Sequence, residues 1–462
     1  MTDAVIIDLI ERDEEVVDSM MTTAIVEELL AALKQPQAGP TSAPPAPAPP
    51  APLPPPVLTT QHRLHHPFSL VASELAIIRK QLVGLLGSAH PNLTDTAEYY
   101  FLRPSVQVRS LLILLFSRAT NGITVDWQKK LWDACHERAS GQRAAVDRAL
   151  YDPDVLNDWH PTMPDITASF GSVFELRTPI SYNQRPPYPH FPSMPTSFPA
   201  SPTLLPSQLQ LAQVMEMIHV ASLLHDAVYD ESPHRMNNET KVGENKLMIL
   251  GGDFLLGRAS AVLPQLGENE VVELVASVIS NVVEGEMLRM EEVKTPEMGT
   301  LQGPKSVSEA WERYLRRTYL KTASLMAKGA RASVVLGGCG TSDILKEAAY
   351  TYGRNLGFAK QLMDDASDYE FGLSDVRAGL ATAPVLYAAE EYPELLAIIQ
   401  RNLLLDGDLE CAVDYVRRSN GVERTRELAR RYGESARETL KLLREDEGRE
   451  GLERLTGFVV GS

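Results

Sequence analysis

Ala221-Ser-Leu-Leu-His-Asp226-Ala-Val-Tyr-Asp230-Glu231 runs a mainly apolar helical stretch into a cluster of carboxylates, and about 140 residues later Leu356-Gly-Phe-Ala-Lys-Gln-Leu-Met-Asp364-Asp365-Ala-Ser-Asp368 does the same. Asp226 and Asp230 are four residues apart, as are Asp364 and Asp368, so each pair falls on one helix face about a turn from its fellow. Left empty, such a face repels itself. Two of them turned toward each other across a helical bundle form a cage of hard oxygen ligands, the surroundings Mg²⁺ prefers when it also holds substrate phosphates. Two separate solvated acidic faces would show the same spacing. The apolar runs that lead into both clusters argue instead for burial, where unpaired carboxylates are costly. The pattern points to metal-assisted diphosphate chemistry.

Working outward, apolar residues recur near the helical period over residues 70–86, 105–119, 208–229, 245–263, 269–291, 308–336, 342–369, 378–392, 394–404 and 423–443. No series of alternating strands competes with them. The periodicity predicts an all-α fold.

At this point the chain resembles the all-trans isoprenyl (polyprenyl) diphosphate synthase family, and within it the fungal long-chain polyprenyl diphosphate synthases. The resemblance runs from about Leu70 onward. It is carried by Ile218-His-Val-Ala-Ser-Leu-Leu-His-Asp226, Asn245-Lys-Leu-Met-Ile-Leu-Gly-Gly-Asp253 with Arg258, Tyr319-Leu-Lys-Thr-Ala323, Gly353-Arg-Asn-Leu-Gly357 with the second aspartate cluster, and Gly379-Leu-Ala-Thr-Ala-Pro384. It implies an isoprenoid synthase-type helical bundle around a central cavity. It also implies that Asp226, Asp230, Asp364, Asp365 and Asp368 hold three Mg²⁺ ions on an allylic prenyl diphosphate. Catalytic roles fall to Lys321, Thr322 and Gln361, and diphosphate binding to Arg109, Arg235, Lys246, Lys321 and Lys360. A homodimer is implied, with a heteromer with a paralogous synthase as the alternative.

Several positions depart from the family's pattern. Ala227 stands where the first motif has its second aspartate, and Arg235 is followed by Met236 where a second arginine is usual. In the segment Arg103-Pro-Ser-Val-Gln-Val-Arg109-Ser110, Ser105, Val106 and Ser110 replace the family's Gly, Lys and Pro, and only Arg109 remains of the clamp on isopentenyl diphosphate. Losing a charge-assisted contact to a diphosphate costs a few kcal/mol, about enough to cripple binding of that second substrate. Arg289 replaces a glutamine, and Lys360 places a new cation beside the second cluster. This asymmetry predicts a terpene synthase-like lyase that ionises geranyl or farnesyl diphosphate without condensation. The alternatives are a chain-elongating polyprenyl diphosphate synthase and a non-catalytic partner subunit. Small residues at Ala221 and Ser222 leave room for a long chain in the cavity.

Among 462 residues the net charge is −17, which argues against nucleic acid and anionic membrane surfaces as partners. Cys135, Cys339 and Cys411 lack metal-ligand spacing and suit a reducing compartment. No apolar run is read as a transmembrane segment. Residues 1–35 form an acidic amphipathic segment with Arg12 its only arginine, unlike a mitochondrial transit peptide, so a cytoplasmic location is expected, with a mitochondrial one left open. Residues 36–60 read as a Pro/Ala-rich linker and 65–462 as the helical domain, interrupted by a Pro-rich loop insertion at 179–206. His62, His65 and His66 read as an exposed polar stretch, and Tyr229 and Phe358 as core aromatics.

Overall fold

Apolar periodicity becomes helix wherever the computed structural model describes the chain, namely residues 67–89, 91–101, 107–124, 126–139, 204–228, 238–292, 303–340, 342–371, 376, 379–403 and 405–461. The acidic segment, the Pro/Ala-rich linker, the three N-terminal histidines and the Pro-rich insertion up to residue 203 lie outside these. Among the described residues there is no strand. In chain order the helices are α1 (Ala72–Ala89), α2 (Thr94–Phe101), α3 (Val108–Thr120), α4 (Asp126–Ala139), α5 (Pro206–Asp226), α6 (Asn238–Val262) and α7 (Asn269–Glu292). Then come α8 (Val307–Thr318), α9 (Ser324–Val334), α10 (Asp343–Phe371), α11 (Ala383–Glu391), α12 (Leu395–Gln400), α13 (Asp408–Arg418), α14 (Gly421–Thr439) and α15 (Glu447–Val460).

The core sits where α3, α5, α9 and α10 meet. Leu111, Leu112, Leu114, Leu115 and Phe116 of α3 have no exposed surface, and α9 packs against α3, α5, α7 and α10. Helix α10 comes close to the backbone of α9 and of residues 319–323 just before it, because Gly353 and Gly357 face them. A Cβ at Gly353 would stand 2.5 Å from the Met326 carbonyl oxygen, and one at Gly357 would stand 2.6 Å from the Ala323 Cα. A polar clasp fixes the start of α5. Gln208 Oε1 accepts from the Leu205 N–H at 2.9 Å, and Gln208 and Asn121 exchange side-chain hydrogen bonds at 2.9 and 3.0 Å.

The helix read over 308–336 is interrupted twice. Tyr319–Ala323 and Val335–Cys339 are π-helical turns, and Gly338 takes a left-handed φ of 87° in the second. The helix read from 378 begins at Ala383, because Gly379 has φ 85° and Pro384 fits a first helical turn. The helix read over 394–404 shortens to α12, since Asn402 and Leu403 both have positive φ. Helices α2, α4, α13 and α15 were not read from periodicity. Contrary to the reading that no run reaches membrane length, Asn245–Leu266 is long and apolar enough to cross a membrane by length and composition. A helix packed against α5, as α6 is, meets the same test.

Candidate active site

The first aspartate cluster is anchored by Asp226, in the last turn of α5. Lys321, in the first π turn, donates to Asp226 Oδ2 at 3.0 Å and to Glu286 of α7. A π turn inserts an extra residue and redirects side chains, and such turns occur frequently at functional sites. Here it places Lys321 and Thr322 where a straight helix would not. Burial pushes Asp226 up to about 6, Lys321 opposes that rise, and the neighbouring Glu286 adds to it. Glu286 is half-buried, but Lys321 and Arg289 outweigh that burial and hold its carboxyl below the usual range. Arg289 Nη1 reaches Glu286 Oε1 at 3.1 Å. One lysine thus serves two carboxylates, and Asp226 is the less compensated.

The second cluster divides its labour. Asp365 is 2% exposed, and its oxygens accept from Gln361 Nε2 at 2.9 Å, from the Tyr314 hydroxyl at 2.8 Å and from the Ala383 N–H at 3.2 Å. Thr322 donates to Gln361 Oε1 at 3.0 Å, so Thr322, Gln361 and Asp365 form one chain. Burial and the Asp365 charge hold the Tyr314 hydroxyl protonated, well above its ordinary range. Asp364 is exposed and paired with Lys360 at 2.5 Å, one turn back on α10. Asp368 is half-buried on the same helix.

A third group faces these two. Arg109, at the start of α3, is 5% exposed, and its Nε is buried with no hydrogen-bond partner. Burial lowers its pKa, while Glu216 and Asp364 act on it through space to raise it. Glu216 Oε1 accepts from the Ser110 N–H and hydroxyl at 3.0 and 2.9 Å, while its Oε2 is buried with no hydrogen-bond partner. His219 lies one turn along α5, and burial together with the charges of Arg109, Lys360 and Lys321 keeps it neutral. The reading of the sequence missed Glu216, His219 and Glu286. The available signal was Gln213, Glu216 and His219, polar residues three apart in an otherwise apolar helix.

Asp230, Glu231, Arg235 and Tyr229 lie outside the described residues. Lys246 is exposed on α6. Arg258 lies over the Phe254 ring at 5.0 Å, and Asp253 approaches His225 at 3.4 Å. Ala221 is wholly buried in the core, while Ser222 is half-buried with its hydroxyl donating to the His219 carbonyl at 2.7 Å. Phe358 stacks on Tyr432 at 5.0 Å, as a core aromatic does. A separate cavity of about 270 Å³, lined by Arg313, Arg316, Arg317 and Leu288, shares Tyr314 with this site.

Among the described residues no three His, Cys, Asp or Glu side chains stand close enough to hold one metal ion together. The donor chemistry nevertheless suits Mg²⁺. Asp226, Asp364 and Asp368 are all carboxylates, and Asp226 and Asp364 each already hold a cationic ammonium.

A polyprenyl synthetase family model matches residues 197–416. The probable mitochondrial hexaprenyl pyrophosphate synthase of Neurospora crassa is 39% identical over 396 residues, covering 84% of this chain and 79% of its own length. Decaprenyl-diphosphate synthase subunit 1 of Schizosaccharomyces pombe is 32% identical over 412 residues, 87% of this chain and 92% of that one. The apo structure of an Arabidopsis medium/long-chain length prenyl pyrophosphate synthase has a TM-score of 0.51 at 26% identity, covering 86% of this chain and 99% of that one. Likeness of this extent, in sequence and in helical fold, means that the chain belongs to the polyprenyl synthetase family.

Proposed function

We propose that this chain is a Mg²⁺-dependent trans-polyprenyl diphosphate synthase, which joins isopentenyl diphosphate to an allylic prenyl diphosphate to make a longer prenyl diphosphate. The observation that carries the reading is the pair of adjacent π-turn residues, Lys321 bonded to Asp226 and Thr322 heading the hydrogen-bonded chain through Gln361 to Asp365. It stands in a chain 39% identical to a protein named a probable hexaprenyl pyrophosphate synthase. The lyase expected from Ala227 and the altered 105–110 segment finds no support among these relatives, whose names are those of chain-elongating transferases, and the transferase takes its place.

Mg²⁺ held by Asp226, Asp364 and Asp368, with Asp230 as a further ligand, would supply positive charge to the allylic diphosphate as it leaves. Lys321 donates to the same departing group, where a preorganised cation stabilises charge as it develops. The C–O bond breaks with its electron pair on diphosphate. The isopentenyl double bond then forms the new C–C bond, and a proton is lost to restore an alkene. Asp365, locked by Tyr314 and Ala383, holds Gln361 and through it Thr322 in place. Arg109 receives the second diphosphate, and Arg235 and Lys246 contribute further positive charge to diphosphate binding.

Ile249 and Leu250 on α6 and Val283 and Met287 on α7 are exposed apolar side chains, and a second chain covers them, either another copy or a paralogue. The name of the fission-yeast relative, a subunit 1, supports the heteromeric form. A mitochondrial location is better supported than the cytoplasmic one expected from the acidic segment, because the Neurospora relative is named mitochondrial.

The test is to incubate the full chain with Mg²⁺ and farnesyl diphosphate, with and without isopentenyl diphosphate, and to analyse extracts before and after phosphatase treatment. Longer prenols that appear only with isopentenyl diphosphate and phosphatase are the expected result. A terpene released from farnesyl diphosphate alone would overturn it.

A further inference from the structure

The cavity of about 270 Å³ beside the active site is walled by Arg313, Tyr314, Arg316 and Arg317 of α8, by Glu291 of α7 and by the turn at Ala381. Three guanidinium groups line it against one carboxylate, in a chain whose net charge is −17. Arg317 is built into the wall. It is 7% exposed, donates to the Ala381 carbonyl at 3.4 Å and lies over the Tyr314 ring at 5.7 Å. Arg313 and Arg316 are tied to carboxylates outside the lining, Glu309 and Glu284, each at 2.6 Å. Both pairs reach solvent, with the arginine side chains 40% and 63% exposed. Exposed pairs of this kind contribute little, so either arginine can exchange its partner for a more highly charged anion.

We propose that this cavity is a separate anion site, which takes a diphosphate group between Arg313, Arg316 and Arg317, and that filling it slows the reaction through Tyr314 and Ala381. Planar guanidinium forks match the oxygens of phosphate groups, and charge-assisted bonds to them are about twice as strong as neutral ones. Size narrows the choice. Clefts that take drug-sized ligands span about 300–1,000 Å³, so this one suits a small ion better than a prenyl chain. Inorganic diphosphate meets that description, and on the elongating reading above, on which the kinetic half of the proposal rests, one is released at each condensation. The link to catalysis is geometric. Asp365 Oδ2 accepts from the Tyr314 hydroxyl at 2.8 Å and from the Ala383 N–H at 3.2 Å. Arg317 touches the supports of both donors, the Tyr314 ring and the Ala381 carbonyl. A diphosphate oxygen is a stronger acceptor than a neutral carbonyl at 3.4 Å. The bound anion therefore draws Arg317 off Ala381 and loosens Asp365, and with it Gln361 and Thr322.

Binding is measured in EDTA, where the aspartates have no metal through which to hold a diphosphate. Calorimetric titration of the full chain with inorganic diphosphate is expected to show a saturable site. Arg313→Gln combined with Arg316→Gln weakens it by about tenfold or more, the worth of at least one charge-assisted hydrogen bond, and Glu291→Gln tightens it. Farnesyl diphosphate is the second arm. An affinity for it that falls alike in the double variant assigns the site to a diphosphate carried on a chain, and an unchanged one assigns it to the free ion. Rates are then measured in Mg²⁺ at saturating farnesyl and isopentenyl diphosphates, with free Mg²⁺ held constant. Added inorganic diphosphate lowers kcat severalfold in wild type, whereas in the double variant, whose basal kcat is unchanged, it raises only the apparent KM. Thermal melts separate misfolding from loss of the site, and Glu291→Gln carries the test if the double variant fails to fold. Equal affinity for inorganic diphosphate in wild type, the folded double variant and Glu291→Gln overturns the proposal and leaves the elongating function standing. Equal loss of kcat in wild type and double variant overturns the coupling through Tyr314 and Ala381. Binding in EDTA that depends on the two arginines, in a chain that makes no longer prenols, keeps the site and overturns the elongating reading alone.

Discussion

At the scale of single residues, two side chains concentrate the site's electrostatics. Lys321 is the shared counter-charge of Asp226 and Glu286, and although Glu286 also holds Arg289, Asp226 has no second cation among the described contacts. Lys321→Met is therefore expected to lower kcat by about 10²–10³, the usual consequence of removing one preorganised donor from a developing negative charge. Single-turnover measurements that separate binding from chemistry would check it. His219 gives a prediction in pH. Burial first, then Arg109, Lys360 and Lys321, hold its pKa well below the usual 6.5, so below that pH the unfolded chain takes up a proton that the folded chain refuses. Stability is then lost as pH falls through 6.5, with a slope from this group of up to about 1.4 kcal/mol per pH unit. Denaturant titrations at pH 7.5 and 5.5 should show a smaller drop for His219→Gln than for wild type. Asp226 and Asp364 were legible in the sequence because four-residue spacing repeats a carboxylate on one face. Glu216, His219 and Glu286 were not, since each is one polar residue in a helix and only folding brings them together.

At the scale of elements, the π turn at Tyr319–Ala323 is what the sequence conceals. Its residues continue the apolar periodicity of α8 and α9, so the stretch reads as one helix although its hydrogen bonding changes register there. What permits the turn is across the gap, on α7. A Cβ at Gly285 would lie 2.7 Å from Lys321 Cγ, 3.0 Å from Leu320 Cβ and 3.1 Å from the Lys321 backbone nitrogen. The backbone contact cannot yield as a flexible side chain would. Gly285→Ala should cost about 1–3 kcal/mol of stability, as overpacking does, and should lower kcat by more than that loss of folded protein explains. Denaturant unfolding and kcat measured on the same preparation would show both. The same logic explains why α15 was missed. Gly448, Gly451 and Gly457 depress its helix propensity, yet a Cβ at Gly448 would stand 2.6 Å from the Ala119 backbone nitrogen, and one at Gly451 would stand 2.7 Å from Leu115 Cδ2. Close packing on α3 demands residues that disguise the helix.

At the scale of the whole molecule, the unresolved demand is apolar surface. Helix α6 continues one of the most hydrophobic stretches of the chain, but only 33% of its apolar window is buried. Leu250 and Met287 are 53% and 58% exposed, with Ile249 and Val283 at 43% and 46%. Each such side chain withdrawn from water contributes about 25 cal/mol per Å² of apolar area. With a net charge of −17, two copies repel at long range, so an association of this chain with itself must draw on exposed apolar side chains such as these rather than on charge. Light scattering on the full chain is expected to give about twice 50.9 kDa. Leu250→Lys with Met287→Glu should return it to one chain's mass while leaving the helical circular dichroism signal intact, because neither side chain belongs to the core. A wild-type chain that runs as a monomer, and gains mass only when a paralogous synthase is added, would assign these side chains to a heteromer. A monomer unaffected by either would mean that the exposed side chains of α6 and α7 do not hold chains together.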